Sequence, residues 1–203
     1  MQRLVISFEE TFYMRKLIVE EWVSLDGYVT DKYGALDFFT VITPDKNTYS
    51  DADQLKFLET VDIIILGRKT YELFVEFWPT ATTEQEVMAD RLNEIPKLVF
   101  SNTLTATPWG KWNNARLANG ALIAEIQKLK SMPGKNMVLW GSISVAQQLL
   151  ENNLIDEYHL QVCPVLNGGG RKLFDAAYTA NLKLLEVRQY NTGTVFLNYA
   201  SKV

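Results

Sequence analysis

The sequence is poor in the residues that build covalent or metal-held scaffolds: its 203 residues include one cysteine, Cys163, and one histidine, His159. A lone thiol cannot close an internal disulfide, and one thiol with one imidazole falls short of a zinc ligand set. Disulfide-stapled scaffolds and most zinc enzymes are therefore excluded, and no metal is expected. Long apolar runs are missing as well, since stretches such as Ile63-Ile64-Ile65-Leu66 are far shorter than the ~20 residues that cross a bilayer. Positive charge is not in excess. The 20 basic residues face 24 acidic ones, leaving a formal charge of −4 with no basic run, which argues against a grip on nucleic acid. Neither a GxxxxGKS/T phosphate loop nor a GxGxxG dinucleotide fingerprint occurs, and Gly168-Gly169-Gly170 before Arg171 replaces neither. Residues 1–13 carry a short apolar patch broken by Glu9 and Glu10, with no small-residue cleavage site, so they make a poor signal peptide. A cytoplasmic location is expected, with residues 1–13 as an N-terminal extension and 14–203 as a single domain.

What is present fits an ordinary globular domain: 47% hydrophobic and 22% charged residues, in a chain long enough for its own core. Lys16–Val23 is mostly β-branched or aromatic and predicts a buried strand, which Ser24-Leu25-Asp26-Gly27 turns. Residues 27–49 read as irregular, and Ser50 with Asp53 resembles a capping box for a helix over 51–60. Asp62–Leu66 predicts a strand covered on both faces, followed at Gly67 by a helix. Thr83 and Glu86 suggest a second capping box, opening a helix through Val87, Met88, Leu92 and Ile95 that Pro96 ends. Further strands are expected at Lys97–Ser101, Trp112–Ala118, Met137–Trp140 and Ile155–Val162. Helices are expected to carry Leu122, Ile126 and Leu129, and then Ile143, Ala146 and Leu149. Leu182–Tyr190 and Thr194–Tyr199, joined by Asn191-Thr192-Gly193, read as an antiparallel hairpin at the sheet edge. The class is α/β, with a mostly parallel sheet.

Ligands of such sheets gather beyond the carboxyl ends of the strands. Gly67-Arg68-Lys69-Thr70 sets two cations and a hydroxyl at a helix start, which suits phosphate, although the same residues suit a turn glycine and a capping threonine. Gly141-Ser142 is a second small-residue helix start, and Ser101-Asn102-Thr103 offers polar groups or forms a plain turn. His159 shares a strand face with Gln161 and Cys163 and is expected to face solvent or a partner subunit. Cys163 is expected to be a packed side chain. Asp51 and Asp53 suit either helix capping or proton donation, and Trp78 and Trp140 either line a pocket or fill the core.

Taken in order, these segments resemble the dihydrofolate reductase-like three-layer fold, and within it the C-terminal reductase domain of the riboflavin-biosynthesis protein RibD and its free-standing relatives. The resemblance runs over about 14–200. It is carried by Ser24–Gly27, Leu66-Gly67-Arg68-Lys69-Thr70-Tyr71-Glu72, Pro96–Leu104, Gly141-Ser142, Leu154–Glu157 and Pro164–Phe174. It implies an NADPH-dependent reductase in which Gly67–Thr70, with Ser101 and Asn102, holds the adenosine phosphates. Gly141, Ser142 and Ile143 would cradle the diphosphate, and the end of the first strand, including Val23 and Gly27, would border the nicotinamide. Asp26 and Asp53 are then the candidate catalytic acids, and Ser24, Trp78 and Trp140 the candidate substrate contacts. RibD reductase domains resemble one another in an acid just before the turn after the fifth strand, where this chain has Trp140. The implied activity is hydride transfer to a planar heterocyclic small molecule, nominally 5-amino-6-(5-phosphoribosylamino)uracil. A pterin or dihydrofolate-type reductase and a noncatalytic nucleotide-binding module remain open. A homodimer is also implied.

Overall fold

An apolar run flanked by turn residues becomes a strand when both of its faces are covered, and three such runs form the centre of this molecule. In the computed structural model, which describes residues 14–36, 49–118, 120–174 and 178–202, these are β1 (Leu17–Ser24), β2 (Val61–Gly67) and β5 (Asn136–Trp140). With β3 (Lys97–Phe100), β4 (Ala115–Leu117), β6 (Glu157–Cys163), β7 (Leu182–Gln189) and β8 (Val195–Ser201) they make one sheet ordered β4-β3-β2-β5-β1-β6-β8-β7. Every pairing from β4 to β6 is parallel, and β8 runs antiparallel to both β6 and β7. The α/β class, the mostly parallel sheet and the antiparallel terminal hairpin are thus as the sequence predicts.

Helices α1 (Tyr49–Glu59), α2 (Arg68–Phe77) and α3 (Ala89–Glu94) cover one face, where Leu58, Tyr71, Leu92, Ile64, Leu66, Val99 and Val138 pack together. Helices α4 (Leu122–Lys130) and α5 (Ile143–Glu151) cover the other, where Ile126, Leu129, Val145 and Leu149 meet Leu17, Val19, Ile65, Leu98 and Leu139. No helix among the described residues is long and apolar enough to cross a membrane. Residues 1–13, expected as an extension, and 37–48 of the expected irregular stretch lie outside the described residues.

Strand β4 keeps only Ala115–Leu117 of the expected 112–118, β6 starts two residues after the expected Ile155, and two helix starts also depart from expectation. Helix α1 begins two residues before the predicted start. The helix predicted from Thr83 starts only at Ala89, because the Gln85 side chain turns back to accept the Thr82 N–H and the Gln85 and Glu86 N–H groups both bond Thr82 O. These bonds close one isolated turn over Thr82–Glu86 that does not run on into α3.

The end of the short α3 is tied to β3 by the buried amine of Lys97. Lys97, 1% exposed, donates through Nζ to Leu92 O and Asn93 O at 2.7 Å each, at the end of α3. The ammonium also lies 4.6 Å from the centroid of the Trp109 ring, whose Nε1–H donates to Asn93 Oδ1. Burial pulls this ammonium down to about 7 from an ordinary 10.5. Between those values the unfolded chain binds the extra proton, so this group's contribution to stability rises with pH and is lost as pH falls through 7. Urea-unfolding midpoints of the wild type should therefore rise from pH 7 to about 8.5, and Lys97→Met should flatten that rise. Equal slopes in the two proteins would show that Lys97 titrates normally.

Candidate active-site cleft

The sheet changes the direction of its crossovers between β5 and β1: β5 leads to α5 on one face and β1 to α1 on the other. Such a switch point opens a crevice at the carboxyl ends of the strands. Here β5 leaves the sheet at Trp140, paired with Glu20, while β1 runs on to Ser24 beside β6. The gap left beside β1 is the floor of a cleft of about 1680 Å³.

One end of this cleft is built from two strand–turn–helix units. Helices α2 and α5 both begin without a side-chain cap, so N–H groups of their first turns remain available to an anion. The Gly67 N–H donates to Ser142 Oγ at 2.6 Å, and the same hydroxyl lies 3.0 Å from Thr70 Oγ1 and from Trp140 O. A Cβ at Gly141, whose φ is +56°, would lie 2.6 Å from Thr70 Oγ1. Only glycine lets the two turns close like this and bring both helix starts together. Arg68, ion-paired with Glu72, and Lys69 line this end of the cleft, as do Ser101 and Asn102. Ser101 Oγ accepts the Thr103 and Leu104 N–H groups, fixing the turn after β3. Uncapped helix starts, close backbone approach and two cations fit the diphosphate and added phosphate of NADPH.

The other end is acidic and aromatic. Phe74, Trp78 and Trp140 form a wall, with Phe74 6.1 Å from each tryptophan ring. Glu20, Glu21, Asp51, Gln54 and Gln161 line the rest. Glu20 and Glu21 are both buried, and as neighbours on a strand they face opposite sides of the sheet. Burial raises the Glu20 carboxyl, while the nearby His159 and hydrogen bonds from Trp140 and Gln54 pull it back. Burial raises Glu21 further, and the charge of Glu20 adds to that. Neither Glu20 Oε2 nor Glu21 Oε1 has a hydrogen-bond partner among the described residues.

The cleft thus gathers Gly67, Arg68, Lys69, Thr70, Ser101, Asn102, Gly141, Ser142, Ile143, Trp78 and Trp140. It does not gather five other candidates. Val23 is core, packed beneath α5. Ser24, Asp26 and Gly27 form a turn clasped to the loop after β6. Asp26 accepts the Ser24 hydroxyl at 2.6 Å and the Asn167 and Gly168 N–H groups. The Ser24 hydroxyl, with help from those N–H groups, holds this carboxyl down to about 2, so it carries no proton to give near neutrality. Asp53 points to the hairpin, bound to Arg188 at 2.5 Å and to Tyr190 OH at 3.2 Å. The expectation for His159 is corrected too: it is 7% exposed, sandwiched between Phe57 and Phe196, because α1 and β8 cover the face expected to meet solvent. Cys163 is fully buried, as expected.

Sequence reasoning missed Glu20, Glu21 and Gln54. The signal was present, since adjacent acids in the middle of an apolar, doubly covered strand are out of place on packing grounds.

The chain is 32% identical over 189 residues to the uncharacterized Bacillus subtilis protein YyaP, covering 91% of this chain and 94% of that one. A Shewanella sp. PV-4 protein named for riboflavin biosynthesis superposes with a TM-score of 0.73 at 26% identity, covering 93% of this chain and 99% of that one. The Enterococcus faecalis dihydrofolate reductase, solved with NADP(H), shares the fold with a TM-score of 0.59 at 11% identity, over 94% of this chain and 99% of that one. Residues 15–196 match the family model of the RibD C-terminal domain, and the chain belongs to that family.

Proposed function

We propose that the protein is a cytoplasmic NADPH-dependent reductase that transfers hydride to a planar heterocyclic small molecule of the 5-amino-6-(5-phosphoribosylamino)uracil type. The observation that carries this reading is the pair of uncapped helix starts drawn together by Gly67 and Gly141 at the switch-point cleft. The RibD C-terminal family and the Shewanella relative support the reaction class. The cofactor, when bound, supplies the hydride. The chain's own part is to bind, align and exclude water. The α2 and α5 starts hold the phosphates, Arg68 and Lys69 select the extra one, and Trp78, Trp140 and Phe74 give a flat ring its walls. Trp140 in the acid's place favours a substrate contact made by stacking at that position over one made by charge.

Tryptophan fluorescence should fall on titration with NADPH and saturate, with NADH binding more weakly. Arg68→Ala with Lys69→Ala should weaken NADPH by about tenfold or more, through loss of charge-assisted hydrogen bonds, and leave NADH nearly unchanged. Absence of saturable NADPH binding by the wild type would overturn the reading.

We also propose that the chain forms a homodimer through the edge strand β7. Leu184, Leu185 and Val187 are 48%, 45% and 53% exposed there, on a strand with one side unpaired. A second copy related by a two-fold axis satisfies both the apolar side chains and the open hydrogen-bonding edge. Sedimentation should give twice the 23.2 kDa chain mass, and Val187→Lys should return it to the monomer. A wild-type monomer at all concentrations would refute the interface.

A further inference from the structure

Beneath α1, the cleft floor continues into a buried polar row. Glu20 of β1 stands opposite His159 of β6 in register, and Asn198 of β8 stands opposite His159 on its other side. His159 Nδ1 lies 4.0 Å from Glu20 Oε2, the buried oxygen that has no hydrogen-bond partner. His159 Nε2 lies 3.4 Å from Glu157 Oε2. Glu157 also takes the Lys16 ammonium at 2.6 Å and the Asn198 amide at 3.4 Å. Phe57 of α1 and Phe196 of β8 close over the ring, and Gln54 of α1 and Trp140 of β5 reach Glu20. The groups facing this imidazole are therefore Glu20 from β1, Glu157 from its own strand, Asn198 from β8 and two aromatic rings.

The arrangement has a direction. The His159 hydrogen bond, with Lys16 beside it, holds the Glu157 carboxyl down to about 2 against its burial, so it stays an anion and fixes an N–H on Nε2. That leaves Nδ1 toward Glu20, whose own carboxyl is raised by burial. A shift of about 1 Å in the Glu20 side chain makes the contact a hydrogen bond. A single proton between two such groups belongs to the pair rather than to either alone.

We infer that Glu20 and His159 share one proton, and that Glu20 delivers it from the cleft wall to the substrate as the catalytic acid of the reduction. His159 is a positioning residue, and Glu157 orients its ring. This rests on the reductase reading above. Hydride added to the carbon of a C=N or C=O bond sends the π pair to the heteroatom. That atom takes the proton from the Glu20 carboxyl, and Glu20 takes it in turn from His159 Nδ1. Delivery leaves a Glu20 carboxylate beside a neutral imidazole, one proton short and one unit more negative, and the pair regains that proton from solvent when product leaves the open cleft. Carbon thus gains a hydride, the heteroatom gains a proton, and the reduced nicotinamide is oxidised by two electrons.

The test uses the untagged protein, in whose 203 residues His159 is the single histidine, so that its ring resonances are unambiguous. Glu20→Gln removes the carboxyl that shares the Nδ1 proton and should lower the NMR titration midpoint of His159. In NADPH oxidation with 5-amino-6-(5-phosphoribosylamino)uracil or dihydrofolate, the same variant should lose kcat by about 100-fold or more while fluorescence shows NADPH binding retained. His159→Gln should lower kcat less and displace the alkaline limb of the pH profile. An unmoved His159 midpoint, or NADPH oxidation that Glu20→Gln leaves intact, overturns the shared proton while the reductase reading stands. A Glu21→Gln variant that loses turnover where Glu20→Gln does not moves the acid to the other face of β1 and also overturns it. Failure of the wild type to bind NADPH, or to oxidise it with either acceptor, overturns the reductase reading and proton delivery with it, while the titration still reports whether the pair exists.

Discussion

Everything at the cleft depends on how closely two turns approach. The Gly67 N–H meets Ser142 Oγ, and a Cβ at Gly67 would stand 3.1 Å from that oxygen. Gly141 and Ser142 both take the left-handed conformation, at φ +56° and +62°, and for serine that carries a conformational cost of about 1 kcal/mol. The hydrogen bonds of the Ser142 hydroxyl with Gly67, and with Thr70 or Trp140, offset it. Because β2 and β5 are register partners, the contact also fixes where α2 and α5 begin relative to the sheet. Two helix dipoles then point at one place without any dedicated phosphate loop.

The parts legible in the sequence are those whose physics is local or strictly periodic. Strands β1, β2 and β5 show as apolar runs because both faces are covered, and the glycine turns show because close approach demands glycine wherever it occurs. The misreadings at the site come from direction and from distant partners. Asp51 and Asp53 lie two residues apart on α1, and such residues do not share a helix face; the first lines the cleft and the second binds the hairpin. Asp26 sits in a turn whose hydrogen bonds come from Asn167 and Gly168, more than a hundred residues away, so its role as a clasp cannot be read from its neighbours. Alternation along β6 predicts that His159 faces solvent or a partner subunit, a rule that assumes one open face, whereas β6 lies inside the sheet with α1 above it.

The adjacent acids of β1 make the opposite case, in which a rule broken in the sequence marks the site. Glu20 and Glu21 interrupt a strand that is otherwise hydrophobic, and by period two they project to opposite faces, so no one helix could answer both. Each loses hydration on folding, and two apolar residues there would give a more stable sheet. The structure offsets that burden unequally. Glu20 takes hydrogen bonds from an indole and an amide and has an imidazole 4.0 Å away, and Glu21 receives no hydrogen bond at its Oε1.

Their depth in the chain explains why the cleft can be acidic at one end and cationic at the other without collapsing on itself. The cations Arg68 and Lys69 sit on an exposed helix start, while the acids lie inside the sheet and are biased by burial toward their neutral forms. A carboxyl that stays protonated donates a hydrogen bond where a carboxylate would only accept. A raised carboxyl at the acidic end can therefore act as a donor as well as an acceptor. The same burial that weakens β1 as a structural element raises both of its carboxyls above the ordinary carboxylate range.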